Sequence, residues 1–248
     1  MGTTKEKKIA TAEQMKGWKM NELALFAGAG GGILGGTLHG WNTLCGVEIN
    51  AFCCRRLMQR QNEGHLPPFP IWDDVCTFDG RPWKEIVDVV SGGFPCQPFS
   101  NATHGTPTAI DFWPEMFRII KEIGPKFVFA ENVKLSPIAK AADDCESLGY
   151  KTKICALSAE DMGADHTRTR YWLLAYPDMH GELYSPKHDE TPVLPTFSPS
   201  IWESKESVGC GVDDGLANRM DRLRAAGNGQ VPAVAAAAWS ILTEGVIL

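Results

Sequence analysis

The sequence has no apolar run long enough to cross a membrane. Its first twenty residues are mostly polar and lysine-bearing, without the apolar core of a secretion signal. The eight cysteines include no C-x-x-C pair, and the six histidines form no cluster at zinc spacing. That argues against a structural metal and for a reduced, cytoplasmic protein. Positive charge is not in excess: 24 Lys and Arg against 30 Asp and Glu leave a net −6. A nucleic-acid partner is therefore admitted only if the charge is segregated, because such partners usually meet a basic face. No internal repeat stands out. What remains is ordinary for a globular chain, 44% hydrophobic and 22% charged, and 248 residues suit one α/β domain with a small appendage.

The chain is organised around Ser91-Gly92-Gly93-Phe94-Pro95-Cys96-Gln97-Pro98-Phe99-Ser100. The β-branched run Ile86 to Val90 before it reads as a buried parallel strand. The two glycines are expected to break that strand, and Pro95 to fix a turn that leaves Cys96 at the strand's carboxyl end. Ligands of open α/β sheets sit at that end. A thiol there is either a nucleophile or a small apolar filler, and taken alone the two readings are evenly matched.

Upstream, Glu22 to Phe26 reads as a first strand running into Ala27-Gly28-Ala29-Gly30-Gly31-Gly32, with a helix following to about Leu38. Strand, glycine turn and helix begin a nucleotide-binding unit, although a glycine cluster by itself is equally a tight turn. A second strand, Thr43 to Val47, ends in Glu48, at the spacing from the glycines that suits a ribose diol. A helix spans Ala51 to Gln61, and Cys53-Cys54 at its start reads as packing. Ile71 to Val75 reads as a third strand, with Asp74 at its end either accepting from an adenine amine or capping a turn. A helix from Trp113 to Ile123 and a fifth strand, Lys126 to Ala130, follow, with Glu131-Asn132-Val133 at the strand's end. A helix from Ile138 to Leu148 leads to a hairpin of Tyr150 to Leu157 and Tyr171 to Tyr176. Arg168 and Arg170 share strand parity and so are expected on one face. Pro177 to Asn218 is irregular and rich in Pro and Ser, and an Ala-rich helix spans Val231 to Leu242 after Gly227-Asn228-Gly229. Trp113, Trp172 and Trp239 read as core.

Together these motifs resemble the DNA cytosine-5 methyltransferase family, in the same order along the chain. Phe26 to Gly31 is similar to its cofactor loop, Ser91 to Ser100 to its Pro-Cys-Gln loop, and Glu131-Asn132-Val133 to its Glu-Asn-Val element. Arg168-x-Arg170 is similar to its paired arginines, with His166 where Gln is commoner, and Gly227-Asn228 to its last motif. The resemblance covers about Leu23 to Tyr176 and Arg219 to Trp239. It implies a Rossmann-like S-adenosylmethionine-dependent methyltransferase fold: an α/β protein with a mostly parallel sheet, an antiparallel hairpin strand and helices on both faces.

The resemblance further implies S-adenosylmethionine as cofactor and a flipped cytosine of double-stranded DNA as substrate. Cys96 would be the thiolate that attacks carbon 6, Glu131 would hold ring nitrogen 3 and share its proton, and Arg170 with Arg168 would stabilise developing negative charge. Phe26, Ala27, Gly28, Ala29, Gly30, Gly31, Glu48, Ile49, Asp74, Gly93 and Asn228 would form the cofactor site, with Ile49 on the adenine. Phe94, Pro95, Gln97, Ser100, Asn132 and Val133 would surround the base, Asn132 chiefly by holding the Pro95 loop. No metal is implied.

Two stretches depart from the family. Asn101 to Asp111 carries no Lys or Arg, where relatives place basic residues to clamp DNA. Residues 178–218 are a short counterpart of the family's target-recognition domain. The expected layout is a flexible arm over 1–20, a catalytic and cofactor-binding domain over 21–177, the recognition region over 178–218, and a segment over 219–248 returning to the catalytic domain. Compact members of this kind resemble those of bacteriophages, and a monomer or weak oligomer in the cytoplasm of a bacterial or phage-infected cell is expected. The same chemistry on RNA or another cytosine substrate, or a degenerate binder of DNA or cofactor, are the alternatives.

Overall fold

A computed structural model describes residues 20–95, 111–177, 225 and 229–246. Its centre is a seven-stranded sheet of order β3-β2-β1-β4-β5-β7-β6. The strands are β1 (Asn21–Leu25), β2 (Asn42–Val47), β3 (Ile71–Trp72), β4 (Val89–Gly93), β5 (Phe127–Asn132), β6 (Tyr150–Leu157) and β7 (Arg170–Pro177). The first five pair in parallel, whereas β7 runs antiparallel to β5 and β6 antiparallel to β7. The parallel strands are apolar on both faces, as they must be when helices cover each side.

Alternation decides which layer each side chain joins. Leu23 and Leu25 of β1, Val128 and Ala130 of β5, and Leu173 and Ala175 of β7 pack with helices α3 (Trp113–Ile123) and α4 (Leu135–Ser147). The α3 stripe of Trp113, Met116, Ile119, Ile120 and Ile123 is buried at helical spacing, and Gly124 ends the helix in the left-handed region at φ 61°. On the other face lie α1 (Gly31–Leu38), α2 (Ala51–Asn62) and α5 (Pro232–Thr243). Phe127, Phe129 and Trp172 meet Trp239 of α5, and Trp41 stacks edge-on against Trp239 at 4.7 Å. Trp113, Trp172 and Trp239 are buried, as their sequence context indicates.

Several boundaries differ from those read in the sequence. The glycines of β4 do not end it: the ladder with β5 continues through Gly92 and Gly93. A Cβ at Gly92 would sit 2.6 Å from the carbonyl oxygen of Leu25, so glycine here permits close strand contact rather than a turn. β5 likewise runs on through Glu131 and Asn132 because β7 supplies partners for both. β3 is only two residues long, which leaves Asp74 in the following turn, its carboxylate accepting from the Cys76 N–H. α4 starts at Leu135, three residues earlier than its periodicity indicates. β7 starts at Arg170, opposite the last residue of β6, so Arg168 precedes the ladder and strand parity does not relate it to Arg170.

Candidate active site

The parallel strands β1, β2, β4 and β5 end on one edge of the sheet, and the order reverses between β1 and β4, where an open α/β sheet forms its crevice. Phe26 follows β1 in the left-handed region at φ 53°, a conformation that costs a side chain-bearing residue on the order of 1–2 kcal/mol. Gly30 then takes φ 88° and caps α1 without a side-chain bond. Ala27 and Ala29 complete the turn.

Glu48, just past β2, is held from two sides. Its carboxylate accepts from the Gly28 N–H and from the Asn50 N–H, both at 2.7 Å. One oxygen serves each donor, so each keeps capacity for a further hydroxyl. Asn50 in turn caps α2 through its side-chain oxygen. Phe26, Gly28, Glu48, Ile49, Asp74, Gly93 and Pro95 line one cleft together with Asn50, Cys53, Val75 and Phe112. Ile49 is 75% exposed, an apolar face left open beside the paired carboxylate. An apolar cleft with a rigid diol acceptor in its wall fits an adenosine-bearing cofactor. Cys53 belongs to this lining and is not packing alone. Phe112, whose ring lies 6.1 Å from that of Phe26, could not be found from sequence, because only the fold brings the two together.

Gly31 stands differently. It is the first residue of α1, and a Cβ there would collide with the backbone carbonyl of Gln230. Gly32 likewise abuts the Gln230 side chain. These glycines make room for the segment leading into α5, and neither Gly31 nor Gly30 lines the cleft.

On the other side of Gly93 lies Glu131, its register partner on β5. Glu131 is 5% exposed. Its Oε1 forms an ion pair with Arg170 Nε at 2.9 Å and receives no hydrogen bond among the described residues. Its Oε2 accepts from the Gln230 amide at 3.4 Å. Burial raises the Glu131 pKa above the usual carboxylate value, while Arg170, the Gln230 donor and Arg168 oppose that rise. Arg168 donates to the Gly229 carbonyl at 2.6 Å, so the two arginines do different things. Asn132 donates to the Phe94 carbonyl at 2.9 Å and accepts from the Lys134 N–H. Phe94 is buried against Trp113, and Val133 is half-buried in the turn after β5. Cys96, Gln97, Ser100 and Asn228 lie outside the described residues, as does the loop from Asn101 to residue 110. Pro95 lines the cleft, and its carbonyl accepts from Phe112 N–H, so the chain enters and leaves that loop at one point.

Comparison with known proteins agrees with this geometry. Residues 20–220 match the model of the C-5 cytosine-specific DNA methylase family. The Type II methyltransferase M.NgoMIV of Neisseria gonorrhoeae is 31% identical over 67% of this chain and 54% of its own length. The Type II methyltransferase M.CviJI of Paramecium bursaria Chlorella virus IL3A is 30% identical over 85% of this chain and 56% of its own. The chain thus spans about half the length of the curated relatives it matches. A crystal structure of a Spodoptera frugiperda DNMT2 mutant superposes with TM-score 0.54 at 19% identity, covering 69% of this chain and 54% of that one, and shares the fold. By its sequence match, and with the Rossmann-like methyltransferase fold to go with it, the chain belongs to the C-5 cytosine-specific DNA methylase family.

Proposed function

We propose that the protein methylates carbon 5 of cytosine in double-stranded DNA, with S-adenosylmethionine as cofactor, through a covalent Cys96 adduct on an extruded base. The observation that carries this reading is Glu131: a buried acid with one oxygen lacking a hydrogen bond, beside Arg170 and across from Gly93 on the strand that leads to Pro95. An acid held by one ionic contact and one long hydrogen bond, with its pKa raised by burial, fits a group that passes a proton to substrate.

Of the residues that line the cleft, Glu48 would take the ribose hydroxyls and Ile49 and Asp74 the adenine, and Asn228, outside the described residues, is assigned to the methionine end. When bound, the cofactor supplies an electrophilic methyl group. The protein's own part is to make carbon 5 reactive and then to restore the ring. The Cys96 thiolate forms a bond to carbon 6, and the electron pair of the 5,6 double bond becomes available at carbon 5. Glu131 gives its proton to ring nitrogen 3 as negative charge builds there. Arg170 holds the resulting carboxylate in place. Once carbon 5 is substituted, a base removes its proton, the bond from sulfur to carbon 6 breaks to return the thiolate, and ring nitrogen 3 gives its proton back to Glu131. In a duplex, stacking covers the ring faces through which carbons 5 and 6 react and pairing occupies nitrogen 3, so the base must leave the duplex. We assign residues 21–177 to catalysis and cofactor binding, 178–218 to a small recognition region, and the segment bearing α5 to completion of the catalytic unit, which its packing on α1 supports.

Bisulfite sequencing of plasmid DNA from cells making this protein tests the reading, with transfer of labelled methyl to DNA, RNA and free nucleotides as a second arm. Methylated cytosine in duplex DNA, abolished by Cys96→Ala, is expected. Activity that survives Cys96→Ala, or label in adenine, overturns it.

A further inference from the structure

Gln230 stands two residues past Gly227-Asn228, in the stretch that resembles the last family motif but with no role assigned to it there, and it touches both the first turn of α1 and Glu131. Its backbone carbonyl rests on Gly31 and its side-chain oxygen on Gly32, at the first turn of α1. Its amide nitrogen donates to Glu131 Oε2 at 3.4 Å. A Cβ on Gly93 would stand 2.6 Å from that same Oε2 and 3.0 Å from the Gln230 nitrogen, so the bare backbone of Gly93 is what lets amide and acid meet.

We propose that Gln230 is a positioning residue for Glu131: its amide, oriented by the glycine face of α1, faces Oε2 while Arg170 faces Oε1, so that the carboxyl group is aimed by two elements at once. The proposal rests on the reading of Glu131 as the acid that serves the pyrimidine. Rotation of the carboxyl group about its last bond would break both contacts together. The Gln230 amide is itself confined, since turning it away would require its oxygen to leave the surface of α1. The first turn of α1 and Glu131 are therefore joined through one side chain. The charged groups facing Glu131 among the described residues are Arg170 at the start of β7 and Arg168 ahead of it; β4 presents the uncharged Gly93, and the 229–231 segment carries no charge.

A donor to a carboxylate favours its ionised form, so removing the donor must raise the Glu131 pKa. The test is the titration of the Glu131 carboxyl carbon by NMR in protein labelled with ¹³C-glutamate, its signal assigned by loss in Glu131→Gln. In Gln230→Met, which keeps length and loses the donor, the titration should move up by about half a unit to one unit. Gln230→Glu, close to isosteric, should move it further up by like-charge repulsion, and it stands in should the Met variant fold poorly. The descending limb of the pH profile of kcat/KM for methyl transfer should move in the same direction. A Glu131 titration unchanged in both variants overturns the positioning role. A moved titration in a protein that methylates no cytosine supports the positioning role and refutes the functional reading, so the two failures are distinct.

Discussion

Asn132 on β5 donates its side-chain amide to the carbonyl of Phe94 at 2.9 Å, so the strand that bears the acid also holds the backbone two residues ahead of Cys96. Asn132 is 3% exposed, and no solvent is at hand to take over the bond. Asn132→Leu should destabilise the fold by about 1–3 kcal/mol, the cost of a buried carbonyl left without its donor. Urea unfolding reads that loss. Methyl-transfer kinetics should show kcat falling more than KM rises, since the change displaces the reactive loop more than the cofactor cleft.

Glu22 lies wholly buried in β1, taking hydrogen bonds from the Thr43 and Ser91 hydroxyls at 2.6 Å each. Burial pushes its pKa from 4.5 up to about 7, against the smaller opposing effect of the two hydroxyls. In the unfolded chain the acid ionises near the ordinary value while the folded chain keeps its proton. Stability is therefore fully present below about pH 4.5 and falls as pH rises toward 7. Glu22→Gln removes that dependence. Relative to the variant, the parent should lose about 3 kcal/mol between pH 4.5 and pH 7.5, which urea midpoints across that range will show.

Gly31→Ala would drive a methyl group into the Gln230 backbone carbonyl. The carbonyl cannot swing aside as a side chain would, so the segment leading to α5 must shift. A loss of about 1–3 kcal/mol is expected despite the better helix propensity of alanine. Melting temperature and protease sensitivity of the α5 segment measure it. Gly32→Ala meets only the end of the Gln230 side chain and should cost less stability.

Glu48→Ala removes the acceptor for two backbone N–H groups as well as the proposed diol contact. Affinity for S-adenosylhomocysteine, measured by calorimetry, should fall by about tenfold or more. Glu48→Gln keeps one acceptor oxygen and should retain more of the stability than of the affinity.

Much of the fold was legible because buried strands and amphipathic helices announce themselves by period. The stripe from Trp113 to Ile123 and the hairpin of β6 and β7 match their sequence patterns closely. The edges were less legible because partners decide them: Gly92 and Gly93 look like a break until β5 is seen to pair with them. The same holds at the site. Glu48 can be named from its spacing to the glycines, and Glu131 from its strand end and the resemblance of Glu131-Asn132-Val133 to a family element. Gln230, Phe112 and Cys53 act through contacts between segments far apart in the chain, and local pattern carries no signal for them. Gly31 was legible as a glycine that mattered, but its neighbour is the backbone of Gln230.

The lodging of Gln230 against Gly31 has a consequence for biosynthesis. Translation delivers β1 and α1 early and the partner of their glycine surface late, with the whole sheet made in between. Until the segment bearing α5 is made, the Gly31 surface of α1 is uncovered and Glu131 lacks the Gln230 amide at its Oε2. The surface that α5 and the residues before it lend to α1 is thus added only after the strands it packs beside have been made.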